Sequence, residues 1–435
     1  MKISVVGAGY VGLVTAVGLA KSSHKVICVD KDLNKIKKLQ LGKIPIFEYG
    51  LEDEVKKAIT KNLLDFTADI EKAVNSSEII FIAVGTPEKS GGAADLNSVR
   101  SVIENISKLA LEDKIIVIKS TVPVGTAEEM IELIRKYQKP NLKITIVSNP
   151  EFLQQGKALE GVLKPDRIVI GAKAEKIQNI IKGLYKSIKT EFILTDNASA
   201  ELIKYASNSF LATKISFINE MADLCEKTGA DVKQVAVGMG MDPRINPHFL
   251  NAGIGYGGSC FPKDTKALHH IARGVGNRFK LLEAVIEVNQ IQKFRFLDKV
   301  KTVLKTFKNK NIAVYGLAFK GDTDDIRESV SIEICKYLLD KKVKINAFDP
   351  RAMANAKQIL PKINYCTDPY KAAKNVDAIL VLAEWKEFKN LNFNKLQKMV
   401  RKSHLFDGRN FLDKNKIQKA GLKYFGVGLK DDLKS

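Results

Sequence analysis

Residues 2–30 read KISVVGAGYVGLVTAVGLAKSSHKVICVD, and the fold turns on how this stretch is parsed. KISVV is a strand-like apolar run that ends in the glycine turn GAGY. VGLVTAVGLAKSS follows at helical length, and KVICVD returns as a second strand. Gly7, Gly9 and Gly12 form G-x-G-x-x-G where the first strand hands over to the helix. Such glycines permit the tight turn, the approach of a pyrophosphate to the backbone, and close helix–strand packing. The helix N-terminus adds free N–H groups and a positive dipole for phosphate. Asp30 ends the second strand, 18 residues past Gly12. A carboxylate there would hold ribose hydroxyls and repel a 2′-phosphate, so the βαβ unit predicts a site for NAD rather than NADP.

The alternation continues outward from this unit. SEIIFIAVGTP, DKIIVIKSTVP, LKITIVSNPEF and DRIVIGA read as strands separated by helical stretches, the pattern of a doubly wound, mostly parallel sheet. From residue 198 the period changes to that of one long amphipathic helix, ASAELIKYASNSFLATKISFINEMADLCEKTGA, with further helix up to about residue 305. The opening plan then returns in KNIAVYGLAFKG, KVKINAFDP, VDAILVLAEW and SHLFDGRN. The expected α/β fold has two Rossmann-like doubly wound domains, over 1–197 and 306–435, joined by a long central helix and a helical middle domain over 198–305. The second turn, YGLAFKG, lacks the G-x-G-x-x-G spacing and is not expected to hold another dinucleotide.

Composition fits a soluble globular chain. Of 435 residues, 45% are apolar and 27% charged. No stretch approaches the roughly 18 apolar residues of a membrane span. MKISVVGAG runs directly into a strand without signal-peptide design, and the five cysteines are odd in number and scattered. The cytoplasm is the expected compartment. The net charge of +21 is carried by lysines spread along amphipathic helices, which suits solvated faces and small anionic ligands such as nucleotides. Neither nucleic acid nor a membrane is expected as a partner, and no metal.

Cys28, Cys225, Cys335 and Cys366 lie in apolar or strand-end patterns, whereas Cys260 sits in GYGGSCFPKD, residues 255–264, with no apolar periodicity around it. Alone, that segment is equally a glycine turn with an incidental cysteine. Lys204 and Asn208, four apart, share a helix face and pair a cation with an amide donor, although surface residues often show the same spacing. Lys320, Asp322 and Arg327 follow the first strand of the C-terminal unit as either ligand-facing or solvated charges. A dinucleotide site implies hydride transfer, and a nucleophilic cysteine implies a covalent intermediate. Together they suggest that a primary alcohol passes through an aldehyde, a thiohemiacetal and a thioester to a carboxylate. That four-electron oxidation consumes two NAD and one water. A lysine beside the thiol, Lys263 or Lys204, would favour its thiolate.

GAGYVG, STVPVGT, SNPEF, ELIKYASNSF, DPRINPHFLNAGIGYGGSCFPKD, GLAFKGDTDDIRES and FDGRN occur in this order from residue 3 to about 410. The chain thereby resembles the nucleotide-sugar 6-dehydrogenases of the UDP-glucose/GDP-mannose dehydrogenase family. The resemblance implies Cys260 as nucleophile, Lys204 and Asn208 as oxyanion stabilisers, and Asp264 as the group orienting the lysine or water. Thr121 and Glu151 would hold a catalytic water between nicotinamide and sugar. Asp30, Lys35, Thr86, Thr121, Lys263, Arg327 and the turn around Val11 would face NAD. Ser148, Asn149, Pro150, Glu151 and Phe152 would hold the sugar nucleotide, with Phe249, Leu250, Asn251, Ala252, Gly253, Gly257, Lys320 and Arg409. The glycines of the cysteine loop would leave room for the sugar beside the thiol.

The implied substrate is UDP-glucose, with GDP-mannose or a UDP-N-acetylhexosamine as the alternative. Arg244 would reach a neighbouring subunit's sugar site, which implies a homodimer or larger assembly. Relatives often carry glutamate where this chain has Gln155, so a charge at that position is not essential here. His248 stands where some relatives have lysine.

Overall fold

The computed structural model describes residues 1–430; residues 431–435, the end of the expected C-terminal domain, lie outside the described part. The chain divides into two compact units, Met1–Ser207 with Ala267–Asn277, and Asn208–Lys266 with Arg278–Ser435.

The first unit is built on an eight-stranded sheet. Its strands are β1 (Lys2–Val6), β2 (Lys25–Val29), β3 (Leu64–Thr67), β4 (Ile79–Ile82), β5 (Lys114–Ile118), β6 (Ile144–Ser148), β7 (Arg167–Gly171) and β8 (Glu191–Thr195). They lie in the order β3-β2-β1-β4-β5-β6-β7-β8. The first six are parallel; β7 joins β6 antiparallel through the single pair Ser148–Gly171 and then runs parallel to β8. Strand β4, IIFI, shows why the sheet is covered on both sides. Ile79 and Phe81 pack with Leu13 and Val17 on one face, while Ile80 and Ile82 pack with Val99 and Ile103 on the other. A strand apolar at every position needs two layers of helix. The helix Tyr10–Lys21 is buried from Gly12 to Ala20, so its sequence shows little amphipathic period.

The second unit carries a six-stranded, all-parallel sheet of β9 (Asn311–Tyr315), β10 (Lys344–Phe348), β11 (Asn364–Tyr365), β12 (Ala378–Val381), β13 (His404–Asp407) and β14 (Lys423–Gly426). Its order, β11-β10-β9-β12-β13-β14, repeats the permutation of the first sheet's parallel strands. In this topology, ligands bind at the carboxyl ends of the strands where the order reverses. Helical segments, including Val232–Gly240 and Lys280–Leu304, complete the unit. The expected pair of Rossmann-like sheets with a helical middle region is thus present. The long helix expected from residue 198 spans Asn197–Thr228, and the boundary between the units falls within it.

Candidate active site

The turn after β1 explains its own glycines. Gly7 has φ +106°, and a Cβ there would stand 2.5 Å from the Ala83 carbonyl oxygen; at Gly12 it would stand 1.7 Å from that of Gly7. Protein packing alone therefore demands both. At Gly9 nothing lies within 4 Å of the corresponding position, so the open space above this peptide suits a pyrophosphate at the helix N-terminus. Val11 lies in the first turn of that helix.

Asp30 follows β2 and accepts the Ala8 N–H (3.0 Å), the Asp32 N–H (3.0 Å) and the Lys35 ammonium (2.8 Å). A carboxylate offers about four lone-pair positions, which leaves one for a ribose hydroxyl. Burial opposes its ionisation, but the Lys35 hydrogen bond and the two N–H groups outweigh it and hold the carboxyl below its usual range. Thr86 donates to the Thr121 carbonyl at 2.8 Å, tying together the loops that follow β4 and β5. These residues fit NAD.

The corresponding aspartate of the second sheet is used differently. Asp349 follows β10, is fully buried, and accepts from the N–H groups of Leu317, Ala318, Arg351 and Ala352 and from the Trp385 indole. It has no capacity left for a ribose, in keeping with the absence of the glycine spacing in YGLAFKG.

At the ends of β5 and β6 the first unit gathers a buried charge cluster. Glu151 and Lys204 pair at 3.1 Å with side chains 7% and 4% exposed. Burial works against the Glu151 carboxylate, yet Lys204, the Leu153 N–H and Lys119 hold its pKa below the usual value. Phe152 lies under two cations, with the Arg167 guanidinium 4.1 Å and the Lys204 ammonium 5.4 Å from its ring centre. Lys119, which sequence reasoning passed over, donates to Asn149 Oδ1 at 3.1 Å, and the Tyr185 hydroxyl donates to the same atom at 2.9 Å. Burial pushes the Lys119 ammonium down to about 8.

Asn149 also donates to the Val169 carbonyl. Its side chain is thus occupied within the unit, and it anchors the SNPEF segment between β5 and β7. Ser148 donates to Glu201, whose carboxylate also accepts the N–H groups of Gly125 and Ala127 and is pushed up to about 7 by burial. Pro150, Glu151 and Phe152 line a pocket of about 90 Å³ with Lys119, Arg167 and Tyr185.

In the second unit, Cys260 immediately precedes the helix Phe261–Gly274 and is partly exposed, whereas the other four cysteines are buried. Burial pushes the Cys28 and Cys335 thiols up to about 12. Asp264, 1% exposed, accepts the Asn208 amide at 2.6 Å on one oxygen and the Lys263 ammonium at 2.6 Å on the other. Lys263, Asp264 and Asn208 therefore form one network, with Asp264 orienting both neighbours, and Cys260 stands one helical turn before Asp264, its carbonyl accepting the Asp264 N–H at 2.8 Å.

The glycines here answer to a different need than the expected room for a sugar. A Cβ at Gly253, Gly257 or Gly258 would come within 2.7, 2.2 or 2.7 Å of the Gly408 carbonyl, the Glu328 carbonyl or the Phe319 ring. They let the loop pack against the strand-end loops of its own unit. Phe249 adopts a left-handed conformation, φ 65°, at the loop's entrance; Leu250 and Ala252 are buried and Asn251 exposed.

Arg409 reinforces this arrangement. Its guanidinium donates to the carbonyls of Leu382 (2.9 Å), Gly255 (3.0 Å) and Phe319 (2.8 Å), joining three strand-end loops to the cysteine loop. Lys320 lies 5.9 Å from the Phe319 ring centre. Arg327 and Arg244 are each gripped by an aspartate two residues earlier, Asp325 and Asp242, with closest contacts of 2.6 Å. Arg244 still projects, with its side chain 87% exposed. In Asp242-x-Arg244, Asp325-x-Arg327 and Asp407-x-Arg409 the carboxylate also accepts the arginine's own N–H. The same backbone bond closes Asp349-x-Arg351, so the repeated D-x-R spacing marks an Asx turn, and at Asp242 and Asp325 the carboxylate holds the guanidinium as well.

Among the described residues no group of three or more His, Cys, Asp or Glu is arranged for a metal, and no helix is long and apolar enough to cross a membrane.

The two sheets have a counterpart in known proteins. The chain belongs to the UDP-glucose/GDP-mannose dehydrogenase family: residues 1–189 match its NAD binding domain, 198–291 its central domain and 313–414 its UDP binding domain. It is an NAD-dependent dehydrogenase by that membership. At the level of particular proteins it is similar to two UDP-glucose 6-dehydrogenases of Bacillus subtilis. TuaD is 44% identical over 428 residues, 98% of this chain and 93% of that protein. YwqF is 45% identical over 431 residues, 99% and 98%. The fold superposes on a UDP-glucose dehydrogenase from Pyrobaculum islandicum with a TM-score of 0.92 at 35% identity, covering 98% of each chain. A UDP-D-ManNAc dehydrogenase from Pyrococcus horikoshii gives 0.86 at 27%, covering 98% of this chain and 99% of that one.

Proposed function

We propose that the chain oxidises UDP-glucose to UDP-glucuronate through a thiohemiacetal and a thioester on Cys260. The observation that carries this reading is the placement of Cys260. It is the one partly exposed cysteine, beside the Asp264–Asn208–Lys263 network, in a chain whose first 189 residues match an NAD-binding domain. Bound NAD supplies the hydride acceptor, and four electrons require two of them.

The chain's own residues do the rest. The Lys204 ammonium and the second N–H of the Asn208 amide stabilise the substrate oxyanion. Glu151, kept ionised by Lys204, orients the hydrolytic water with Thr121. Gly9 and Asp30 receive the pyrophosphate and ribose of NAD, with Lys35, Thr86, Lys263 and Arg327 around it. Lys320, Arg409 and the 148–152 and 249–257 segments form the sugar-nucleotide site. The domain assignment is 1–197 for NAD, 198–305 for dimerisation and the cysteine loop, and 306–435 for UDP-sugar.

Two features favour a homodimer or larger assembly. Phe210, Phe217 and Leu224, seven apart on the central helix, are 65, 47 and 50% exposed, an apolar stripe suited to a partner helix. Arg244 stands clear of its own unit, braced by Asp242 and able to serve a neighbouring subunit. Five free thiols suit a reducing compartment such as the cytoplasm.

Following NADH formation by absorbance across UDP-glucose, GDP-mannose, UDP-N-acetylglucosamine and UDP-N-acetylmannosamine tests the substrate. UDP-glucose should give the highest kcat/KM. A preference for another sugar nucleotide would replace it.

A further inference from the structure

The segment ahead of Cys260, GIGYGG at residues 253–258, has few side chains with which to hold itself. Buried backbone N–H and C=O groups still need partners, and three side-chain amides supply several of them. Asn289 Oδ1 accepts the Tyr256 N–H at 2.8 Å, while its Nδ2 donates to the Tyr256 carbonyl at 3.0 Å. This is the two-bond exchange by which residues pair across antiparallel strands, here made by one side chain. Asn219 Oδ1 accepts the Gly253 N–H at 2.8 Å, and Gln292 Nε2 donates to the Gly253 carbonyl at 2.8 Å.

Asn219 lies on the central helix; Asn289 and Gln292, three apart, share a face of Lys280–Leu304. Asn219 and Gln292 are 0 and 2% exposed. A Cβ at Gly255 would come within 2.8 Å of Asn289 Oδ1, so the glycine is what lets the amide reach the neighbouring peptide.

We infer that Asn289, supported by Gln292 and Asn219, is the positioning residue of the cysteine loop: its amide fixes the backbone four residues before Cys260 and thereby the line along which the thiol meets the substrate. This rests on Cys260 being the nucleophile, and the two oxidations differ in their need for it. In the first, the C6 alcohol loses a hydride to NAD and a proton to solvent, giving the aldehyde, and the thiol takes no part. In the second, the thiolate adds to the aldehyde carbon, a C–S bond forms, and the carbonyl oxygen takes up a proton. This thiohemiacetal loses a hydride to another NAD and a proton to solvent, leaving the thioester. Water then cleaves the C–S bond, releasing the carboxylate and regenerating the thiol. A misdirected Cys260 therefore handicaps the second oxidation selectively.

The test is Asn289→Leu, which keeps the size and removes the amide, measured with UDP-glucose and NAD and with hydroxylamine present to capture free aldehyde as its oxime. The wild type should give two NADH per UDP-glucose. The variant should fall towards one, with oxime recovered, a kcat loss of about ten- to a hundredfold, and a KM for UDP-glucose within about threefold. Asn289→Asp retains the acceptor for the Tyr256 N–H and should lie between. Should Asn289→Leu not fold, Asn289→Asp and Gln292→Leu carry the same measurement. A ratio of two in every folded variant, whatever its rate, would overturn the positioning role. A ratio of one in the wild type would instead overturn the reading of Cys260.

Discussion

Lys204→Ala removes the ammonium from a pair buried to within a few per cent, with its partner Glu151 3.1 Å away. Two losses should follow, and they are separable. Deleting one member of a buried pair costs about 3–5 kcal/mol because the remaining charge is left without compensation. Lys119 also lowers the Glu151 pKa, so the lower end, about 3 kcal/mol, applies here. That is a large part of the roughly 5–15 kcal/mol that holds a domain together. Loss of one oxyanion donor should separately lower turnover by about 10²–10³.

Urea unfolding of the N-terminal unit reads the first loss, and NADH formation at saturating UDP-glucose reads the second. The double variant Lys204→Met/Glu151→Gln replaces the ion pair by neutral groups of similar size. It should regain most of the stability and none of the turnover. A turnover loss below about tenfold in Lys204→Ala would place Lys204 in a structural role, and unchanged stability would refute the argument from the buried pair.

Asp30→Ser should weaken NAD and narrow the gap to NADP, because it removes the repelling carboxylate and releases Lys35 to face a 2′-phosphate; equal use of both cofactors by the wild type would refute the assignment. Burial pushes the Lys119 ammonium down to about 8 from 10.5, so at this group the unfolded state binds more protons between those values and its contribution to stability rises across that window, opposed above pH 9 by the raised Cys28 and Cys335 thiols. The stability of the wild type relative to Lys119→Met should therefore grow as pH rises from 7 to 10.5, as followed by urea midpoints of both, and a constant difference would refute it. Cys260→Ala and Arg244→Ala should each form no UDP-glucuronate alone, the product by which activity is read here. Mixed after subunit exchange, they form half heterodimers with one intact site of two, so activity should return to roughly a quarter of wild type. No recovery, with exchange confirmed independently, would exclude a shared site.

How much of this was readable in advance depended on whether a residue's task is local. Gly7, Gly12 and Asp30 act within a single βαβ unit, and their spacing alone carries the geometry. The apolar strand IIFI announced a sheet covered on both faces. Lys119 was not readable, since a lysine in IKSTVP resembles any strand-end charge until β6 and β7 close over it. Asn289 and Gln292 lie on a helix where polar residues ordinarily face water, and nothing nearby in sequence points to a glycine loop more than 30 residues away. The glycines of that loop were read as space for a ligand. Instead they bring its backbone against Gly408, Glu328 and Phe319, contacts that depend on the second sheet being formed.

The covalent role of Cys260 is the central claim, and counting NADH against UDP-glucose consumed tests it most directly. Run to completion with excess NAD, the wild-type enzyme should yield two NADH per UDP-glucose and no free aldehyde, with Cys260→Ala losing net turnover while still binding the substrate. A ratio of one with free aldehyde released, or full four-electron turnover by Cys260→Ala, would contradict it.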